Sequence, residues 1–325
     1  MSSAAPRRID VCNGDADGLC AVLQWRLADP APAELVTGLK RDIALLDRVR
    51  AGRGDAVLVC DLSMQRNRAA LLRLLGAGAD VTYFDHHAAG DVPRHPSLQA
   101  HLDASPDVCT SLLVDRHLGG RHRPWALVGA YGDNLGTVAD ALAAASGYDA
   151  GQRAALRRLG EAINYNAYGD FEADVLIAPA RLYGILARHR DPLRLAATEP
   201  IVDAIDALRA ADLRRARETG PWREHPRGRV WRLPDAAWSR RVGGSLANDL
   251  ALERPALAHA VLRETDRGDF VVSVRAPLQA PSGAQYLCAQ FGGNGRAAAA
   301  GIDQLPPDRV EAFLDAFTTA DWPAG

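Results

Sequence analysis

No run of apolar residues in this chain is long enough to cross a bilayer, and no secretory apolar segment precedes the first strand-like stretch, which begins by Ile9. Those absences exclude a membrane partner and make a cytoplasmic protein the expectation. A charge excess of one sign is also missing. Lys and Arg number 38 against 40 Asp and Glu, a formal net charge of -2, which excludes a large nonspecific surface for long nucleic acid but allows a short anionic substrate. Cysteine is scarce. The five (Cys12, Cys20, Cys60, Cys109, Cys288) show no paired metal-knuckle spacing and sit in apolar patterns, as buried free thiols of a reducing compartment would. There is no internal repeat, and no low-complexity tract beyond residues 297–300. What the chain does have is size and apolar content: 325 residues at 48% hydrophobic, enough for two domains with substantial cores.

Through the first half, strand-like and helix-like segments alternate. Strands are expected from Ile9 and over 34–37, 56–60 and 81–84, with helices over 18–28, 43–49 and 68–75. Such alternation implies an α/β fold with a doubly wound, mainly parallel sheet. From residue 110 to about 189 the pattern turns helical. A connection with a helix over 201–217 follows, then a stretch rich in Arg, Pro and Gly over 220–229. The remainder reads as a second, smaller α/β domain, with strands near 230–233, 259–263 and 270–274 and helices near 245–252, 285–291 and 308–318. The expected division is 1–190, a helical linker over 191–228, and 229–325.

Three of the strand-like runs end in residues able to bind metal. The first leads into Asn13, Gly14, Asp15, Ala16, Asp17 and Gly18; the second ends in Asp61; the third delivers Asp85, His86 and His87. Asp133 lies in a further Gly-flanked turn. Open α/β sheets bind ligands at the carboxyl ends of their strands, so these side chains are expected to converge. A set rich in carboxylate oxygen, with one or two imidazoles, suits manganese, with magnesium or another divalent ion as the alternative; structural zinc normally recruits thiolates.

The order of these motifs resembles the DHH phosphoesterase superfamily, in its compact nanoRNase or RecJ-like form. The family's pattern is an Asp-x-Asp-Gly loop (Asp15, Asp17, Gly18), a lone Asp after a strand (Asp61), the triplet Asp85, His86, His87, then a turn Asp (Asp133). Near the other end Gly292, Gly293, Asn294, Gly295 and Arg296, followed by Ala299, Ala300 and Gly301, resemble the glycine-rich signature of the DHH-associated domain. The resemblance implies two manganese ions, one held by Asn13, Asp15 and Asp61, the other by Asp17, Asp61, His86 and Asp133. It makes His87 and Asp85 the catalytic pair, with His87 placed to contact the scissile phosphate or assist the leaving oxygen; a histidine that only orients a carboxylate is the other reading. It further implies a substrate gripped between a catalytic and a recognition domain.

Two positions depart from the family pattern. Asn13 stands where His or Asp is usual, either as a weak neutral ligand or as a residue that only shapes the loop. Arg296 stands where the family presents a His, and its planar fork suits phosphate. The glycines beside it let backbone amides approach an anion, or serve tight packing alone. Lys40 and Arg41 follow the 34–37 strand, so Arg41 is a candidate phosphate contact and a solvated pair is the alternative. Thr110 and Ser111 are expected to open the helix running to Leu118. Trp222, Trp231 and Trp238 offer base stacking or core packing. The expected activity is a metal-dependent phosphoesterase acting on a short oligonucleotide, a cyclic or linear dinucleotide, or a nucleotide, with a homodimer allowed. An inorganic poly- or pyrophosphatase and a non-catalytic nucleotide-binding relative are the alternatives.

Overall fold

The structure is a computed structural model and describes residues 6–322. It divides into two compact units, Met1–Asp206 and Ala207–Gly325, the division falling inside one helix, Ile201–Glu218.

Unit one is built on β1 (Arg8–Asn13), α1 (Ala16–Ala28), β2 (Glu34–Gly38), β3 (Ala56–Cys60), α2 (Met64–Gly76), β4 (Asp80–Asp85) and β5 (Leu98–Leu102). Its five strands are all parallel, in the order β2-β1-β3-β4-β5. The central strands are apolar on both faces because both are covered, the interior exceptions being Asp10 of β1, which pairs with Arg26, and Thr82 of β4. Cys12, Leu58, Cys60 and Phe84 face one core, while Ile9, Val11, Val57, Val59, Val81 and Tyr83 face the other, so alternate residues of one strand enter opposite cores. The chain reverses its direction of travel between β1 and β3, whose carboxyl-end loops therefore diverge and leave a crevice.

Helices close the first core: α3 (Thr110–His117), α4 (Arg123–Gly132), α5 (Gly136–Ala145), α6 (Ala150–Asn166), α7 (Pro179–Leu186) and α8 (Pro192–Thr198). The innermost, α1, is buried from Ala16 to Gln24, since Asp17 is the one charged residue of that span. It packs against α4, and α4 against α6, with almost no space between backbones. A Cβ on Gly132 would stand 2.3 Å from the Ala16 Cβ, and one on Gly160 would stand 2.2 Å from the Val128 carbonyl oxygen. That approach draws the first turn of α1 and the end of α4 together.

Unit two, entered along α9 (Ile201–Glu218), comprises β6 (Arg223–His225), β7 (Gly228–Leu233), α10 (Ala237–Glu253), β8 (Ala258–Glu264), β9 (Phe270–Arg275), α11 (Ala284–Ala289), β10 (Asn294–Gly295), β11 (Ala299–Leu305) and α12 (Val310–Thr319). Its six-stranded sheet runs β10-β11-β9-β8-β7-β6; β7 and β8 are parallel, joined through α10, and the other pairs are antiparallel. One face packs on α10 through Val242, Leu246 and Leu250, the other on α11 and α12 through Leu287, Phe313 and Phe317. Trp231 is buried in the first of these cores, and Trp222 packs against the second with the Arg223 and Arg232 guanidinium groups over its ring, which is the packing use of these residues.

The expected α/β class holds, with one local correction. The segment expected as a helix over 43–49 forms only the single 3-10 turn Leu45–Arg48, because just Leu45, Leu46 and Val49 find a core to face. The five cysteines are free and buried, and among the described residues no helix is long and apolar enough to cross a membrane.

The close helix contact sets a test. Gly160→Ala gains about 1 kcal/mol of helix propensity but must push back a backbone carbonyl, and overpacking of this kind costs about 1–3 kcal/mol. The expected net result is a lower urea midpoint at unchanged slope. A raised midpoint would show that α4 and α6 are further apart than described.

Candidate metal centre

Five aspartates and two histidines meet at the carboxyl ends of β1, β3 and β4, each aimed by its local backbone. Asp15 ends the β1 loop as the cap of α1, where its Oδ1 accepts the Gly18 N–H at 3.1 Å. Asp17, in the first turn of α1, has both carboxylate oxygens occupied: the backbone N–H groups of Thr110 and Ser111, the first residues of α3, donate to them at 2.7 Å each. A helix start presents unpaired amides and a partial positive charge, and here it clamps a carboxylate in one plane. The capping position of α3 is Cys109, which makes no side-chain cap.

Asp61 follows β3 in the left-handed region, at φ 59, and donates its N–H to the Phe84 carbonyl at 3.0 Å. A non-glycine residue there costs about 1–2 kcal/mol, and the reward is direction. The twist turns the carboxylate into the crevice, where the Thr110 hydroxyl reaches its Oδ1 at 3.3 Å. Asp133 sits at the end of α4, brought in by the α1–α4 contact, and the following Asn134 also takes a positive φ of 62.

His86 and His87 divide the work through their partners. The Nδ1 of His86 donates to the Val108 carbonyl at 3.0 Å, which leaves Nε2 facing Asp61, Asp133 and Asp17 at 3.4, 3.8 and 3.9 Å. His87 turns the other way. Its Nδ1 stands 2.7 Å from Oδ1 of the fully buried Asp85, while the ring itself is half exposed. The other oxygen of Asp85 is buried without a hydrogen-bond partner among the described residues.

The electrostatics of this cluster call for a cation. Burial first, then the charges of Asp15 and Asp17, push the Asp61 carboxyl well above its usual pKa; burial and Asp17 push Asp133 up to about 6. Burial works against a charged His86, yet its bond to Asp61 and the charges of Asp17, Asp61 and Asp133 push it up to about 10. Asp15 is the exception. Burial again opposes its charge, but the Lys40 ammonium at 2.6 Å and the Gly18 N–H hold its carboxyl below the usual range. Donors on one six-coordinate ion lie roughly 3 Å apart when adjacent and roughly 4 Å when opposite, so the separations around His86 Nε2 fit a divalent ion with an oxygen-rich shell. Two groups of ligand atoms lie within 4.8 Å of one another: Asp61, His86 and His87, and Asp17, His86 and Asp133.

The remaining expected site residues fall as follows. Asn13 is buried, its Oδ1 3.3 Å from the Asp15 N–H and its Nδ2 3.5 Å from the Lys40 carbonyl, bonds that shape the loop. Arg41 is on the surface, ion-paired with Asp170. In unit two, Gly293 and Gly295 are required by the β10–β11 hairpin itself, since a Cβ on either would stand 2.2 Å from the Gly301 oxygen or 2.4 Å from the Ala300 Cα. Gly292 has φ +78, and Asn294 and Arg296 are exposed on that turn, the Arg296 N–H donating to Ala299. Sequence reasoning missed the clamp on Asp17, the Val108 carbonyl behind His86, and Asn164 and Tyr168 beside Lys40.

A group whose pKa is raised on folding stabilises the fold while protonated and costs stability once it must ionise. For Asp61 that cost sets in as pH rises from its unfolded value of about 3.9 through its raised folded value. Asp61→Asn keeps a residue tolerant of the left-handed region and removes the charge. In chelator at neutral pH it should melt higher than the parent, by on the order of 1 kcal/mol or about 2–4 °C, and the gain should vanish near pH 3. Added manganese should raise the melting temperature of the parent much more than that of Asp61→Asn. An Asp61→Asn variant that melts lower in chelator would mean the carboxylates do not crowd one another.

No family model and no curated protein sequence matches the chain. Solved structures do. A DHH-domain protein described as a member of a family of ribosomal proteins superposes with a TM-score of 0.65 at 15% identity, over 97% of this chain and 87% of its own. A pGpG-specific phosphodiesterase, PggH from Vibrio cholerae, gives 0.57 at 13% identity, over 96% and 98%. The exonuclease RecJ, solved with bound manganese, gives 0.55 at 19% identity, over 96% and 89%. The chain thus shares the fold of these DHH-domain structures, and its own Asp85, His86 and His87 stand at the end of β4 in unit one.

Proposed function

We propose that this chain is a metal-dependent phosphoesterase that hydrolyses a phosphate ester of a short oligonucleotide, a dinucleotide or a nucleotide. The observation that carries the reading is the His86 Nε2, freed by the Val108 carbonyl and ringed by three carboxylates. Asp17, Asp61, His86 and Asp133 are the residues that would hold a divalent ion, and manganese is the ion that their mixed oxygen and imidazole donors suit. Such an ion supplies a water of lowered pKa and neutralises charge on a phosphoryl oxygen. The nucleotide character of the substrate draws support from the neighbours of the same fold, one a pGpG phosphodiesterase and one an exonuclease.

The chain's own residues divide the rest. With the Asp85 oxygen accepting from Nδ1, His87 presents Nε2 at the half-exposed side of its ring, placed to hold a proton for the leaving oxygen. Asp85 fixes that ring, and its full burial prevents water from competing for the bond. In unit two we assign the exposed turn from Gly292 to Arg296 to phosphate binding, the guanidinium offering a bidentate fork and the positive-φ Gly292 an open backbone. Arg41, already paired with Asp170, is the weakest member of the proposed binding set.

The deciding experiment is a screen of nitrophenyl phosphate esters, diribonucleotides, linear and cyclic dinucleotides and inorganic polyphosphate, with manganese and then with excess chelator. Hydrolysis of a nucleotide ester that chelator abolishes supports the reading; turnover of polyphosphate alone replaces the substrate class, and no turnover of any compound removes the enzyme. On the best substrate, His87→Ala should lower kcat about 100-fold to 10,000-fold with manganese content unchanged. Asp85→Asn should fall in the same direction with a shifted pH profile. Arg296→Ala removes a charge-assisted contact of about 1.5–3 kcal/mol, so KM should rise roughly tenfold to a hundredfold with no loss of metal. An unmoved KM would take the glycine-rich turn out of substrate binding.

A further inference from the structure

The resemblance to two-ion enzymes meets an obstacle in this chain at Asp15. The expected first ion has Asn13, Asp15 and Asp61 for ligands, but Asp15 already has a cation. Lys40 Nζ lies 2.6 Å from its Oδ2. This is no wandering surface lysine: the Lys40 N–H is bonded to the Ala167 carbonyl at 3.0 Å, its ammonium reaches Asn164 Oδ1 at 3.3 Å, and it stands 5.6 Å from the centre of the Tyr168 ring. The turn that carries it is fixed in turn by Asp42, which accepts the Leu39 N–H at 2.9 Å.

Asn13 completes the substitution. A neutral amide stands where the family pattern has an ionisable ligand, and its hydrogen bonds run to the Asp15 N–H and the Lys40 carbonyl, the two residues of the ion pair. A divalent ion on Asp15 would have to share the carboxylate with an ammonium and gain no charge from Asn13. On the other side of the crevice, both groups of candidate ligand atoms omit Asp15 and both include His86. With Nδ1 committed to Val108, His86 offers an ion its Nε2 alone, on the side of the crevice away from Lys40.

We propose that Lys40 supplies, as a fixed ammonium on Asp15, the charge that a second divalent ion would supply, so that this chain binds one ion, on Asp17, Asp61, His86 and Asp133. The inference rests on the metal-dependent reading above and alters the number of ions, not the need for one. The tethered cation cannot be removed by chelator or diluted away, so the Asp15 side of the crevice keeps its charge balance under every metal condition.

The test is a count of ions with a spectroscopic check. Full-length protein is stripped with chelator, equilibrated with manganese and assayed by calorimetric titration and by elemental analysis after dialysis. Electron paramagnetic resonance then separates isolated from exchange-coupled manganese. The parent is expected to bind one ion per chain with an uncoupled spectrum. Lys40→Met frees Asp15 and should bind two, with a coupled spectrum; Lys40→Arg keeps a cation and should stay at one. Two coupled ions on the parent would overturn the inference and leave the metal-dependent reading intact. One ion on a folded Lys40→Met would overturn the role given to Lys40. No binding by the parent would overturn both readings at once. Because the parent alone decides the count, failure of a variant to fold does not shelter the inference.

Discussion

Everything in unit one answers to the crowding of carboxylates at the end of a parallel sheet. Asp15, Asp17, Asp61 and Asp85 are almost wholly buried and Asp133 mostly so, in a medium where isolated charge is expensive. Four of the five are held by different devices. Asp17 takes two amides from the start of α3, Asp15 takes an ammonium and the Gly18 amide, and Asp85 takes an imidazole. Asp61 takes a strained backbone that close packing alone does not require. Helix positions follow from these demands. The first turn of α3 must reach Asp17, and α4 must lie against α1 closely enough to deliver Asp133, which is why glycine stands at 129 and 132, where a Cβ would strike the Ser111 hydroxyl or the Ala16 Cβ.

The legible part of the sequence was the part dictated by burial on both sides. The runs ending at Asn13, Cys60 and Asp85 place apolar residues on both faces because two cores need them, with Asp10, paired to Arg26, and Thr82 as the interior exceptions, a pattern that a strand covered on one face alone would not produce. β5 was not legible. At the sheet edge Leu98, His101 and Leu102 are only partly buried and Gln99 and Ala100 are exposed, which is no alternation that burial would impose. β11 was obscured by composition: residues 297–300 read as a low-complexity tract and Ala299, Ala300 and Gly301 as part of a glycine-rich signature, yet small residues are what β10 and β9 can accommodate on either side. The 43–49 segment failed for the opposite reason, since an apolar-rich stretch has no obligation to complete a helix when three anchors suffice.

At the site, residue types were legible and partners were not. A carboxylate at a strand end announces itself; the amide that holds it belongs to any residue at all. Nothing about Thr110 and Ser111 as side chains marks them, for the contacts to Asp17 run through their backbones and depend on where α3 begins. Lys40 and Asn164 are distant in sequence and meet only because the turn after β2 lies against the end of α6. Asn13 was readable as an ambiguity, ligand or loop former, and its two hydrogen bonds within the loop favour the second.

The adjacent histidines show how one residue type is given two roles. The two rings lie only 4.5 Å apart and both stand near Asp61, so what separates them is the partner that each Nδ1 finds. His86 turns inward, where a carbonyl takes its Nδ1 proton and leaves Nε2 among acids. His87 turns outward, where an acid takes the Nδ1 side and leaves a ring nitrogen toward solvent. A neutral carbonyl behind an imidazole favours its use as a ligand. A carboxylate behind it fixes the ring and leaves the far nitrogen free to pass a proton. The difference between metal ligand and proton carrier therefore lies in Val108 and Asp85, one of them invisible in the sequence because only its backbone acts, the other visible as the first residue of the triplet.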